Sequence, residues 1–380
     1  MQSYKKLILV FSGYNQRAII AFLRTLEYKK IDYAIIAKDK HDEIFLTDYS
    51  DHVFAIRKSI PLILDDLLMS INKVRQKYKE HEFIIAPTTE ALNRFLLENK
   101  EEFEQAGCTI PLVNKELYEK ISDKYSFGNI CRDYLIDTPY EIDIEQNISF
   151  PIVAKPKQYF SSIKNKVFSP IILNDANDFD LFKSKYPIDD FYYQEFIRGK
   201  SIYLLYYFHR DGTIYKFSQE NLMQQPKGKS MLAAVSSNFH NSLESEKFER
   251  LFKDLNYFGL VMVEMKQYEE KNYMIEANPR FWGPSQFFVD AGINFFETFL
   301  HDFGILETIN LPKKPINSSV KYFWFGGLSE ALTNYHELVY HAYTENELLQ
   351  TLHEWMKYDI YRRIDTKSIF VKELYGDRGN

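Results

Sequence analysis

Cysteine is scarce in this chain of 380 residues, where only Cys108 and Cys131 occur. The two form neither a CxxC pair nor a zinc-ligand spacing, which excludes a disulfide framework and predicts two buried thiols. A reducing cytoplasm is the expected setting. Long apolar runs are also missing. None approaches the ~18 residues a membrane span requires, so no membrane partner is expected. The opening "MQSYKKLILVFSGYNQ" carries two lysines before a short apolar run, but Ser12-Gly13 arrives too soon for a signal peptide. There is no repeat of fixed period and no low-complexity tract. Excess positive charge is lacking as well: 53 acidic against 47 basic residues leave a net charge of −6, which argues against a nucleic-acid partner.

What remains is a globular composition. Hydrophobic residues make up 45% and charged residues 26%, and 31 Phe with 28 Tyr can fill a large core. At roughly 150 residues per domain, the length implies two or three domains. The first 50 residues alternate apolar runs with a helical period: "KLILVFSG", "RAIIAFLRTLEYK", "IDYAIIAKD". That alternation predicts a parallel sheet with crossover helices. A further helix leads to the strand "EFIIAP" and to a helix N-capped by Thr89. The loop "FSGYNQ" after the first strand lacks G-x-G-x-x-G, so no dinucleotide fingerprint is present. It is either a plain tight turn or a ligand loop at the carboxyl end of the sheet. Beyond a helical stretch that ends at Pro139, the middle of the chain is strand-rich, with a hairpin signal at Asp211-Gly212. These breaks predict an α/β domain over 1–115, α+β segments over 116–200 and 201–310, and a C-terminal α/β extension over 311–380.

The segment with most chemistry is "GLVMVEMKQYEEKNYMIEANPRFWG", residues 259–283. Two apolar strands flank a polar turn, and each holds one carboxylate among apolar neighbours, Glu264 and Glu276. A charge in such a strand is costly unless paired or metal-bound. Glu276 and Asn278 are two apart and share a face of a strand. If Glu264 lies opposite Glu276, three oxygen donors converge, as suits Mg²⁺ bridging phosphates. That pairing needs an odd loop or a bulge; an even loop is expected to set Glu264 against Ala277 and turn it to the other face. Arg280, two residues on, can reach the same cluster and neutralise a transferring phosphoryl group.

Together, "IEANPRFWG", "SDKYSFGNICRDYLIDTP", "FPIVAKPKQYFSS", "YYQEFIRG" and "GLVMVEM" resemble, in order and spacing, the motif series of the ATP-grasp superfamily of carboxylate–amine ligases and carbamoyl-phosphate-synthase-type enzymes. The resemblance covers about residues 1–300. It implies a parallel-sheet domain followed by a two-lobed fold that sandwiches ATP. It also implies that Lys124 and Lys155 contact the phosphates, that Glu195 and Ile197 read the adenine edge through their backbones, and that Glu264, Glu276 and Asn278 hold Mg²⁺ (or Mn²⁺). Arg280, with Lys155, would serve catalysis at the acyl phosphate. Two positions depart from the pattern. The phosphate-covering loop "PKQYFSSIKNKV" has no glycine, so the phosphate cover would be looser or rely on hydroxyls, those of Ser161 and Ser162, and Ser201 occupies the position of the ribose-binding acid.

The implied activity is ATP- and Mg²⁺-dependent ligation of a small-molecule carboxylate to an amine through an acyl phosphate. A nucleotide-binding pseudoenzyme or regulatory partner is the alternative, motivated by the missing glycines and Ser201. A bicarbonate-activating, carboxylase-like enzyme ranks third. A homodimer is the default assembly. Lys227 and Lys229 are read as a solvated loop, His209 and His240 as structural, and "IYLLYYF" as strand core. The last 80 residues carry no interpretable motif.

Overall fold

The computed structural model describes residues 5–163, 166–226, 229–310, 312, 319–334, 337–341 and 343–376. Its first sheet is built from Lys5–Phe11 (β1), Tyr33–Ala37 (β2), Val53–Ile56 (β3), His81–Ile85 (β4) and Cys108–Thr109 (β5). All pairings are parallel, in the order β3-β2-β1-β4-β5. Helices on both faces explain why β1 and β2 read as continuous apolar runs rather than alternating ones. Helix Gln16–Lys29 buries Ile19, Phe22, Leu23 and Leu26. Helix Glu90–Glu98 begins as expected, with the Thr89 hydroxyl accepting from Leu92 N at 3.2 Å. Cys108 and Cys131 are buried free thiols, and burial pushes Cys108 up to about 12.

A second, small sheet holds Ile152–Pro156 (β6), Ile171–Leu173 (β7) and Phe191–Glu195 (β8), antiparallel in the order β7-β6-β8. It has a core of its own, in which Ile152, Ala154, Phe179, Phe182, Phe191 and Tyr193 pack together.

The third sheet is antiparallel and larger: Lys200–Phe208 (β9), Ile214–Gln224 (β10), Met231–Ser237 (β11), Gly259–Tyr268 (β12), Lys271–Asn278 (β13), Lys321–Phe323 (β14) and Val339–Tyr340 (β15). Its order is β13-β12-β9-β10-β11-β14, with β15 also on β10. β9, the expected strand core, is buried from Ser201 to Phe208. The Asp211-Gly212 turn joins it to β10, with Gly212 at φ +90°. β10 pairs with β9 as far as Asn221–Ser201; there β9 begins, and Met223 and Gln224 pair instead with Tyr340 and Val339 of β15. Among the described residues, the C-terminal segment is thus woven into the sheet. Tyr322, Ile360, Tyr361 and Ile369 share one core with Ile8 and Val10 of β1. That core also locks the first domain to the residues after β13. Phe22 meets Phe281 at 5.0 Å and Phe296 at 4.9 Å, and Phe281 meets Phe296 at 4.7 Å, in edge or tilted geometry. Lys227 lies outside the described residues; His240 is buried against Ser218. No helix among the described residues is long and apolar enough to cross a membrane.

Candidate active site

The β12–β13 hairpin sets the carboxylates. Its turn is the two residues Glu269-Glu270, and Tyr268 faces Lys271. Continued without interruption, that even register would bring Ile275 opposite Glu264, not Ala277. A bulge intervenes: Met265 pairs with Met274, and the next pair is Glu264 with Glu276. Ile275 is the extra residue, and the bulge returns both carboxylates to one face. The odd pairing read from the sequence is therefore met by the bulge rather than by the loop.

Around this pair the polar groups are ordered. Asn278 Nδ2 donates to Glu276 Oε1 at 2.7 Å, and Arg280 Nη2 donates to Asn278 Oδ1 at 3.0 Å. Arg280 Nη1 donates to Phe281 O at 3.0 Å. Lys124, the first residue of helix Lys124–Asp133, pairs with Glu276 Oε2 at 2.6 Å. Lys155, on β6, reaches across from the small sheet to Ile275 O at 3.4 Å. Glu264 sits at the end of a buried relay. Gln219 Nε2 donates to Asn221 Oδ1 at 2.7 Å, Asn221 Nδ2 to Ser201 Oγ at 3.0 Å, and Ser201 Oγ to Glu264 Oε1 at 3.4 Å.

The electrostatics split the two carboxylates. Burial and the neighbouring Glu276 push Glu264 up. Burial would raise Glu276 too, but the Lys124 ammonium, the Asn278 amide and Arg280 together hold it well down. Lys155 falls to about 8, through burial and the repulsion of Lys124. Among the described residues no three His, Cys, Asp or Glu side chains converge as a metal cage. The two carboxylates suit Mg²⁺, which keeps other positions for phosphate and water; the Asn278 amide turns its nitrogen to Glu276 and its oxygen to Arg280, so it would have to flip to join them.

Two cavities adjoin this cluster. One, of about 570 Å³, lies between the small and large sheets and is lined by Lys124, Val153, Lys155, Ile172, residues 195–199, Ile275 and Tyr340. The other, of about 670 Å³, opens towards the first domain and the C-terminal segment, with Arg17, Tyr203, Arg280, Trp282, Trp324 and Glu373 in its wall. Glu264 and Glu276 line both.

Lys124, Lys155, Glu264, Glu276, Asn278 and Arg280 are thus brought together, and Glu195 and Ile197 line the first cavity. Glu195 is held by Tyr140: its carboxylate accepts from Tyr140 N at 2.9 Å and its N–H donates to Tyr140 O at 3.0 Å. Its amide is therefore already committed. Ser201 does not line the first cavity. It is fully buried in β9, because the strand starts at Lys200, and its hydroxyl serves Glu264. Ser161 and Ser162 also face elsewhere: both hydroxyls donate to Asp190 Oδ2, as does Ser162 N, and neither residue lines the cavity with Lys155.

Several residues had no sequence signal. Lys266 lies on the same face as Glu264, and its ammonium is 3.3 Å from His341 Nδ1. Burial drives His341 down to about 3, so the neutral ring accepts from Lys266 and presents Nε2–H to Gln224 Oε1 at 3.2 Å. In the second cavity Arg17 donates to Tyr322 OH at 2.9 Å and stacks 3.8 Å above Trp324. Gly283 leaves room for it, since a Cβ there would come within 2.9 Å of the guanidinium. Among the described residues, Trp282 Nε1, Gln16 Nε2 and Glu373 Oε2 are buried without hydrogen-bond partners, and all three residues line that cavity.

No protein-family model matches the sequence, and no curated protein matches it. Solved structures do. N5-carboxyaminoimidazole synthetase from Staphylococcus aureus superposes with a TM-score of 0.62 at 13% identity, over 88% of this chain and 86% of its own. The biotin carboxylase domain of Hydrogenobacter thermophilus 2-oxoglutarate carboxylase, a dimer solved with MgADP and bicarbonate, gives 0.60 at 14% identity over 83% and 73%. The L-amino acid ligase of Bacillus licheniformis gives 0.54 at 13% identity over 80% and 77%. Of the Rhizobium etli pyruvate carboxylase chain, matched at 0.60 and 14% identity, this chain spans only 30%, with 83% of its own length. With its parallel-sheet first domain, its small and large antiparallel sheets and the carboxylate pair between two cavities, this chain has the ATP-grasp fold.

Proposed function

We propose that this chain is an ATP- and Mg²⁺-dependent ligase that activates a carboxylate as an acyl phosphate for attack by an amine or another nucleophile. The observation that carries the reading is the meeting of two cavities at a single carboxylate pair, Glu264 and Glu276. A nucleotide in the first cavity and a carboxylate in the second would meet only there. The base would lie among Val153, Ile172, Ile197 and Tyr340, with backbone of residues 196–199 at its edge. Lys124 and Lys155 would neutralise the phosphates as point charges. Arg280, held by Asn278 and Phe281, would face the transferred group from the acceptor side. Mg²⁺ on Glu264, Glu276 and Asn278 would supply further charge compensation, and Mn²⁺ suits the same oxygen donors.

In the reaction a carboxylate oxygen forms a bond to the γ-phosphorus while the bond to the β-phosphate oxygen breaks, and ADP leaves. The nucleophile then attacks the acyl carbon, and inorganic phosphate departs with the bonding pair. Two anions must approach one another in the first step, so positioning and charge neutralisation are what the chemistry asks of the protein. The size of the second cavity favours an organic carboxylate over bicarbonate. At about 670 Å³ it far exceeds an ion of roughly twice the ~30 Å³ of a water molecule.

The test is thermal unfolding with and without Mg·ATP, together with ADP release across a panel of carboxylates and amines. A ligand at a hundred times its dissociation constant stabilises the folded state by roughly 2.7 kcal/mol. Glu276→Ala is expected to abolish the Mg-dependent part of the shift and all turnover while the fold survives. Substantial ADP release by that variant would refute the metal-site assignment. Nucleotide binding with no phosphate release from the whole panel would instead establish a pseudoenzyme.

A further inference from the structure

One guanidinium in the wall of the second cavity has no counter-charge. That wall carries three cations, Arg17, Lys229 and Arg280, and, beside the Glu264–Glu276 pair, three acids, Glu43, Glu90 and Glu373. The acids are answered from elsewhere: Lys372 stands 3.3 Å from Glu43 and Arg94 3.0 Å from Glu90. Burial pushes Glu373 up to about 8, against the hydrogen bond from Trp324 Nε1, so its carboxyl keeps its proton at neutral pH. Arg280 already acts on Glu276. Arg17 is left over, since among the described residues it forms no ion pair and its printed partners are neutral oxygens.

Its setting is that of an anion grip. Nη1 donates to Met231 O at 3.1 Å and to Tyr322 OH at 2.9 Å, and the guanidinium lies 3.8 Å above the Trp324 ring and against Gly283. The group is thus fixed through one nitrogen and through its plane. Nε and Nη2 make no hydrogen bond among the described residues, and neither is sealed from solvent. These two present the parallel N–H groups that hold a carboxylate by two hydrogen bonds. The same helix shows the pair in use. Seven residues on, along the same face, Arg24 donates from Nε to Asp365 Oδ2 at 2.7 Å and from Nη2 to Asp365 Oδ1 at 3.1 Å. No side chain of the described residues plays the part of Asp365 for Arg17, which lines the cavity instead.

Tyr203 relates this group to the carboxylate pair. It lies beside Glu264 on the neighbouring strand, and its hydroxyl stands within electrostatic reach of Glu264, Glu276, Arg280 and Arg17 together. One small molecule can therefore meet Arg280 at one end and Arg17 at the other, with Met262, Trp282 and Tyr361 in the same wall for its hydrocarbon span. We infer that the acid activated here carries a second carboxylate, held by the Nε–Nη2 edge of Arg17, and that Arg17 selects such dicarboxylic acids over monocarboxylic ones. The inference rests on the ligase reading for the fate of the first carboxylate, though not for the grip on the second.

The experiment has two arms on the full chain. Calorimetry in the presence of Mg·ADP compares the dicarboxylates from malonate to adipate with their monoamides. ADP release from Mg·ATP is then measured on the same acids with hydroxylamine as nucleophile. At least one diacid is expected to bind at least tenfold more tightly than its monoamide and to give the higher kcat/KM. Arg17→Gln should remove that difference. Gly283→Ala should diminish it, because the added Cβ comes within 2.9 Å of Nη2 at a backbone conformation open to any residue. A cooperative thermal transition in each variant shows that it folds. Equal binding or no binding of diacid and monoamide, or a preference that Arg17→Gln leaves intact, overturns the grip, and ADP release with any acid then still upholds the ligase reading. An Arg17-dependent preference in binding without ADP release from any acid overturns the ligase reading and leaves the grip standing.

Discussion

Lys155 offers the sharpest test of the site because its charge costs the unliganded protein stability. The residue is 95% buried, as its 5% exposure records; among the described residues its ammonium makes one hydrogen bond, a long one to Ile275 O at 3.4 Å, and Lys124 repels it. Its pKa falls from 10.5 to about 8. At 1.36 kcal/mol per unit, that is a penalty of roughly 3 kcal/mol for holding the proton in the folded state. The unfolded chain binds this proton more tightly, so the penalty is fully present below pH 8, fades from pH 8 to 10.5, and is gone above. Lys155→Met keeps the length of the side chain and removes the charge. At pH 7 it should stabilise the apo protein by up to roughly 3 kcal/mol, about 4 °C for a chain of this size at ~2.1 cal/mol/K of unfolding entropy per residue. At pH 9.5 the advantage should shrink to about 1 kcal/mol. The same variant should lose most of the Mg·ATP-induced shift if, as proposed, the phosphates are the partner of the ammonium. Thermal unfolding of both proteins at the two pH values, with and without Mg·ATP, gives all the numbers. A variant that is less stable than wild type at pH 7, or that keeps the full nucleotide shift, would refute the reasoning.

Ser201→Ala removes the donor to Glu264 and the acceptor of Asn221 within the sheet. It should cost roughly 1–3 kcal/mol in chemical denaturation and raise the Mg²⁺ concentration needed for half-maximal nucleotide stabilisation. A weakened nucleotide affinity with unchanged Mg²⁺ dependence would restore a ribose role for this residue. Phe281→Ala opens a void between Phe22, Phe296 and Phe299 and should cost roughly 3–5 kcal/mol, read from urea unfolding. A loss below about 1 kcal/mol would mean that the aromatic cluster does not couple the first domain to the Arg280 loop.

Local order in the sequence carried what was legible. The parallel first domain followed from continuous apolar runs between helical periods, and Thr89 from its capping position. Glu276 and Asn278 were readable as a unit because a two-residue spacing within one strand fixes their common face whatever the turn does, and Arg280 follows two residues on, just past the strand end. Glu264 depended on register, and only the bulge at Ile275 put it in place. The burial of Ser201 was not legible, because counting from the hinge motif does not reveal that β9 starts at Lys200 and draws the next residue into the sheet. Ser161 and Ser162 had an Asp190 partner nearly thirty residues away. Arg17, Lys266, His341 and Glu373 carried no signal at all. Each acquires its setting from pairings or packing between segments far apart in the chain, as when Arg17 meets Tyr322 and Trp324.

The seat that β15 takes beside β10 has a consequence for how the molecule is made. A chain synthesised as far as residue 310 already contains both lysines, both carboxylates and Arg280, yet its first cavity has no Tyr340 or His341 wall and its second no Tyr361 or Glu373. Domains fold from the amino end as they emerge. The charged groups are therefore made early, and the two cavities beside them are walled last, so an incomplete chain exposes its charged centre to water.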